Sequence, residues 1–128
     1  MRENGARCVL ISGGFTFFTM AVADALGFDT HHGNTLGIEN GVLNGLVIDP
    51  ILDKESKLTF LKKYINDMGI TAEDTVTVGD GANDLPMLKH AGLGVGYYAK
   101  PAVGVHVDNV INHGDLTALL YAQGYTDF

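Results

Sequence analysis

Two short apolar runs in this chain each break at once into a polar, glycine-bearing loop and then into helical spacing. Arg7-Cys8-Val9-Leu10-Ile11 leads into Ser12-Gly13-Gly14, and Thr75-Val76-Thr77-Val78 leads into Gly79-Asp80-Gly81-Ala82-Asn83-Asp84. A nearly continuous apolar run bounded by turn residues reads as a strand covered on both faces. After the first loop, Phe15, Phe18, Val22 and Leu26 recur at helical spacing, with Gly27 placed to close the helix. After the second, Asn83 or Asp84 caps a short helix that has Pro86 in its first turn and Gly92 past its end. Strand, loop and helix in that order constrain the chain to an α/β fold with a mainly parallel sheet. In open sheets of this kind, ligands bind beyond the carboxyl ends of the strands.

The remaining elements follow from period and punctuation. Between Thr35 and Ile48 the apolar residues alternate around Asn40-Gly41, a pair that favours a hairpin because both turn positions tolerate positive φ. Pro50 ends the hairpin. A helix begins near Lys54, carries Leu58, Leu61, Ile65 and Met68 as its apolar stripe, and stops at Gly69. Leu93-Gly94-Val95 and Val110-Ile111 read as short strands, and Asp115 caps a last helix from Leu116 to Ala122. No repeat, linker or low-complexity segment interrupts residues 1–128, and the length implies a single domain.

Composition narrows the partners. With 8 Lys and Arg against 15 Asp and Glu, the net charge of −7 opposes nucleic acid or an anionic membrane as the main partner. Apolar residues make up 46% and charged residues 18%, which excludes disorder by composition. Cys8 is the single cysteine, so no disulfide framework exists and a reducing, cytoplasmic setting is expected. No apolar run approaches the length of a membrane span, and Met1-Arg2-Glu3-Asn4-Gly5 does not open a signal peptide, which implies a soluble chain.

Three places carry candidate chemistry. Ser12, Gly13 and Gly14 lie where a strand exits into a helix, so a hydroxyl and backbone N–H groups face any anion there. A serine that merely caps the helix explains the same residues. Asp80, Asn83 and Asp84 place two carboxylates and an amide within five residues at a strand end, a hard-oxygen set suited to Mg²⁺. An Asp-Gly turn followed by a capped helix needs only one of them. Lys57, near the start of the second helix, offers an ammonium able to neutralise phosphate charge; Lys54, Lys62 and Lys63 read as solvated surface. His31-His32 reads as a polar loop pair, Cys8 as a small buried hydrophobe within the strand, and Phe15, Phe17 and Phe18 as core.

In order, Ser12-Gly13-Gly14-Phe15, Lys57, Gly79-Asp80-Gly81-Ala82-Asn83-Asp84 and Ala99-Lys100-Pro101 resemble the phosphoserine phosphatases of the haloacid dehalogenase superfamily across nearly the whole chain. The aspartate-rich segment is common to that superfamily; Ser-Gly-Gly-Phe and Ala-Lys-Pro narrow the resemblance to the phosphoserine branch. It implies a Rossmann-like core and Mg²⁺-dependent hydrolysis of O-phospho-L-serine to L-serine and phosphate, the last step of serine biosynthesis. By the same resemblance, Ser12 and Gly13 hold phosphate, and Lys57 binds phosphoryl oxygens and the nucleophile's carboxylate. Asp80 ligates Mg²⁺, Asn83 contacts phosphate or substrate, and Asp84 steadies Lys57 and metal-bound water. All are expected to converge on one phosphoryl group.

One part of the family pattern is absent. The nucleophile of these enzymes lies in an Asp-x-Asp-x-Thr segment on a central strand, and no such segment occurs in residues 1–128. The helical cap that reads the serine moiety has no counterpart either. The chain therefore resembles the carboxyl-terminal half of a phosphatase and is expected to be inactive alone. The alternatives are a non-catalytic phosphate- and Mg²⁺-binding fragment and another small-molecule phosphatase of the superfamily. A signalling receiver domain fits poorly, because Ser-Gly-Gly replaces the acidic pair such domains need after the first strand. Lacking the central strand, the strands ending at Ser12 and Gly79 are expected to pair with each other, or two copies to associate over the gap.

Overall fold

The structure is a computed structural model, and it describes residues 1–127. The chain comprises two compact units, Met1–Asp53 and the residues from Lys54 onward.

The first unit is built from β1 (Val9–Phe15), α1 (Thr16–Leu26), β2 (Thr30–Glu39) and β3 (Val42–Ile48), with sheet order β1-β2-β3. The central strand β2 serves two partners in succession. Its first half pairs in parallel with β1, and its second half pairs antiparallel with β3. Asn40 and Gly41 turn the hairpin at φ 51° and 77°, as the Asn-Gly pair requires. The sequence gives no apolar signal for Thr30-His31-His32-Gly33-Asn34, yet these residues are strand, so His31 and His32 are not loop residues. Parallel pairing to Val9, Leu10 and Ile11 recruits them, which is tertiary context overriding weak β propensity. Ahead of β1, Cys8 is half-buried rather than mid-strand; its N–H donates to Asp29 Oδ2 at 2.7 Å.

The helix α1 also departs from its sequence pattern. It closes at Gly27 as expected, but the residues it buries are Thr19 and Ala23. Phe17 and Phe18, expected in the core, are 71% and 63% exposed and stack edge-on against each other at 5.3 Å. Small side chains let α1 lie close to the sheet: the hypothetical Cβ of Gly33 on β2 would come within 3.2 Å of Thr19. The apolar period points away from the side that packs.

The second unit contains α2 (Ser56–Met68), β4 (Val76–Gly79), α3 (Leu85–His90), β5 (Leu93–Tyr97), α4 (Pro101–Gly104), β6 (Asn109–Ile111) and α5 (Thr117–Ala122). Its sheet, β4-β5-β6, is parallel throughout. Met87, Leu88, Val95 and Val103 form its buried apolar core; in the first unit Ala23 is the one apolar side chain buried to that degree among the described residues. Asp115 Oδ1 accepts from the N–H of Thr117, the first residue of α5, at 2.9 Å, but the N-cap position itself is Leu116, which offers no side-chain cap. The single turn α4, which follows Lys100, had no expected counterpart.

Of the two arrangements expected for the strands ending at Ser12 and Gly79, direct pairing with each other does not occur. β1 is an edge strand of one sheet and β4 an edge strand of the other. Each already has a neighbour that satisfies one edge, β2 and β5 respectively, and its other edge carries no strand among the described residues.

Candidate functional site

The expected site residues fall in both units: Ser12 and Gly13 in the first, Lys57, Asp80, Asn83 and Asp84 in the second.

Ser12, Gly13 and Gly14 do not stand at a helix N-terminus. They belong to β1, and the helix starts only at Thr16, after Phe15. The register shows why. Ile11 faces His32 and Phe15 faces Asn34, so Ser12, Gly13 and Gly14 stand against Gly33 alone and bulge out of the ladder. Ser12 Oγ accepts from the Gly14 N–H at 3.0 Å, folding the hydroxyl back onto the bulge instead of onto a helix. The Gly13 face is open, since a Cβ there would meet no atom within 4 Å. Asn34, 7% exposed, pins this bulge: its Nδ2 donates to the Gly13 carbonyl at 2.9 Å and its Oδ1 accepts from the Leu52 N–H at 2.7 Å. The sequence reading passed over Asn34; an amide four residues after Thr30 in a stretch poor in apolar residues was the available signal.

In the second unit the loop after β4 wraps around one carboxylate. Asp84 ends a 3-10 turn, Ala82–Asp84, immediately before α3. It does not cap α3 with its side chain. Instead Oδ2 reaches back to accept from the Asp80 N–H at 2.9 Å and the Gly81 N–H at 3.0 Å, while Oδ1 pairs with Lys57 Nζ. The pair is shielded, the Lys57 and Asp84 side chains being 15% and 4% exposed. Burial pushes the Asp84 carboxyl up, but the Lys57 hydrogen bond, the Gly81 and Asp80 amides and the Lys57 charge together outweigh it and hold it below its ordinary range. Gly79 makes this possible, because a Cβ at that position would stand 2.5 Å from Asp84.

The Asp84 carboxylate is thereby committed, and the Asp80 carboxylate is not. Asp80 is exposed, and its side chain forms no hydrogen bond or ion pair among the described residues. Its main chain is held on both sides, the N–H by Asp84 and the carbonyl by the Lys100 N–H at 3.2 Å. Asn83 is exposed beside it. A cavity of about 340 Å³ opens next to Asp80, lined by Val78, Gly79, Tyr97, Tyr98 and Leu116. No group of three or more His, Cys, Asp or Glu side chains is placed to hold a metal among the described residues. One free carboxylate still fits Mg²⁺, which takes one or two carboxylates and completes its shell with water and phosphate oxygens. His31 makes no such site; its Nδ1 lies 2.9 Å from the Thr19 hydroxyl.

The arrangement has counterparts in known proteins. The family model of the haloacid dehalogenase-like hydrolases matches residues 1–89. A phosphoserine phosphatase of Polaromonas sp. is 42% identical over 93% of this chain and 52% of its own length. A haloacid dehalogenase family hydrolase of Salmonella enterica serovar Typhi superposes with a TM-score of 0.88 at 34% identity, over 94% of this chain and 42% of that one. A substrate-bound phosphoserine phosphatase gives a TM-score of 0.86 at 36% identity, over 94% and 58%. The chain thus spans between 31% and 56% of the length of these and similar curated relatives. With the family model covering more than half of its residues, the chain belongs to the haloacid dehalogenase-like hydrolases.

Proposed function

We propose that this chain supplies phosphate- and Mg²⁺-binding residues of a phosphoserine phosphatase, and that its 128 residues alone do not turn the substrate over. The observation that carries the reading is the shielded Lys57–Asp84 pair, which leaves Asp80 as the uncommitted carboxylate beside it. Asp84 orients the Lys57 ammonium and fixes the Asp80 and Gly81 amides, so charge and donors are in place before any ligand arrives. Lys57 neutralises phosphoryl oxygens, Asn83 contacts phosphate or substrate, and Asp80 holds the cation. Bound Mg²⁺ supplies charge neutralisation at a transferring phosphoryl group. Ser12 and Gly13, on the open bulge of β1, contribute hydroxyl and backbone N–H donors to phosphate.

Support for phosphoserine as the substrate comes from relatives that carry the name phosphoserine phosphatase. Both units are read as parts of one hydrolase core, acting in the cytoplasm. No helix among the described residues is long and apolar enough to cross a membrane. A second copy of the chain, pairing along an open strand edge, is the partner that β1 and β4 admit.

The test is phosphate release from O-phosphoserine with Mg²⁺, together with phosphate binding followed by calorimetry. We expect binding without turnover, with binding weakened when Asp80 becomes Asn or Lys57 becomes Met. Turnover that Asp80→Asn abolishes would overturn the inactive half of the reading; binding indifferent to both substitutions would overturn the site itself.

A further inference from the structure

Tyr98 stands at φ 46°, one of two described non-glycine residues with positive φ, the other being the turn residue Asn40. A bulky aromatic residue holds that conformation only where its surroundings over-determine it. Three contacts do so. The Tyr98 N–H donates to the Ile111 carbonyl at 2.8 Å, its hydroxyl donates to the Gly114 carbonyl at 2.7 Å, and its ring meets Tyr97 edge-on at 4.8 Å. The left-handed residue ends β5 and turns the chain through Ala99 to Lys100, whose N–H reaches the Asp80 carbonyl. Tyr98 also lines the cavity beside Asp80.

We propose that Tyr98 is a positioning residue for Asp80, acting through the loop whose Lys100 N–H holds the Asp80 carbonyl, while Asp84 holds the Asp80 and Gly81 N–H groups. The role rests on the reading of Asp80 as a cation ligand. Asp84 holds the Asp80 and Gly81 N–H groups, one in each peptide flanking Asp80, and leaves the Asp80 carbonyl to another partner. The Lys100 N–H adds a third restraint, on that carbonyl, and its position is set by the turn at Tyr98 and by the hydroxyl tie to Gly114. A loosened turn would widen the orientations open to the Asp80 side chain and weaken a cation bound through it, as loss of a ligand-orienting partner does elsewhere.

Amide hydrogen exchange and Mn²⁺ titration on the full chain separate the possibilities. In Tyr98→Phe, which removes only the hydroxyl, and Tyr98→Asn, which tolerates positive φ but cannot reach Gly114, the Lys100 and Asp80 amides should exchange about tenfold faster. The Thr77 amide in β4 should keep its rate, and Mn²⁺ affinity should fall by about tenfold. Asp80→Asn should abolish Mn²⁺ binding at this site, and in that background the Tyr98 substitutions should have no further effect on the metal. Unchanged exchange at Lys100 and Asp80 in both Tyr98 variants overturns the proposal, whatever the metal does. So does faster exchange with Mn²⁺ affinity intact. Failure of the wild-type chain to bind Mn²⁺, with the exchange pattern as expected, overturns instead the reading of Asp80 as a cation ligand.

Discussion

A buried carboxylate tolerates its ion only with partners, and Asp84 has three: Lys57 and the amides of Asp80 and Gly81. Lys57→Met removes the cation paired with Asp84 and should cost about 3 kcal/mol in urea unfolding. A loss below about 1 kcal/mol would place the pair among weak surface bridges. Because the folded Asp84 carboxyl is held below its ordinary value of 3.8, its contribution is complete above that pH and is lost as the pH falls through the lower folded value. Asp29 and Asp115 shift the same way, Asp29 chiefly through the Cys8 N–H and Asp115 chiefly through the Thr117 hydroxyl, so acid destabilises the whole chain. Asp84→Asn should therefore flatten, without abolishing, the fall in stability as the pH drops below 3.8, measured by denaturant titration. The residue types of this cluster are legible in the sequence because chemistry demands them within a short span. The assignment of Asp84 as the committed carboxylate and Asp80 as the free one is not, since it depends on which side chain folds back onto the amides. Asn34 and Tyr98 escaped notice for a related reason: each acts through a backbone carbonyl or N–H distant in sequence.

At the level of elements, glycine and asparagine punctuation located the chain's turns well, because positive φ is a local demand. Gly27, Asn40-Gly41 and Gly69 all stand where a left-handed residue is needed. Faces were less legible. The 3- and 4-residue spacing of Phe15, Phe18, Val22 and Leu26 defines a helix correctly, but periodicity reports an apolar stripe and not which side a sheet will take. α1 rests on Thr19 and Ala23, both at 4% exposure or less, while Phe18 and Leu26 face outward. The difference is measurable. Ala23→Leu should destabilise the chain by about 1–3 kcal/mol by overpacking. Phe17→Ser should stay within about 0.5 kcal/mol in the same thermal or urea assay. The reverse ranking would mean that α1 packs through its aromatic face. The strand boundary at Ser12 was misplaced for a comparable reason: glycine pairs mark bulges as readily as turns, and only register distinguishes them.

For the molecule as a whole, β-α alternation revealed the fold class but not the division into two sheets, with β1 at an edge of one and β4 at an edge of the other. Pairing partners are set by which strands are present to compete, a property no single segment carries. The division also distributes stability unevenly. Four buried apolar side chains, Met87, Leu88, Val95 and Val103, anchor the residues after Lys54, whereas the residues before it have Ala23. A protease given limited time should accordingly trim the chain from its amino-terminal side, leaving a resistant product that begins near Lys54. Excised on its own, the stretch Met1–Asp53 has too little interior to hold a hairpin and one helix together, for small folds without a core need an external staple. The carboxyl-terminal stretch, with its own packed interior and the Lys57–Asp84 lock, is the part to which a bound oxyanion and its counter-ion could still be delivered after the rest has been cut away.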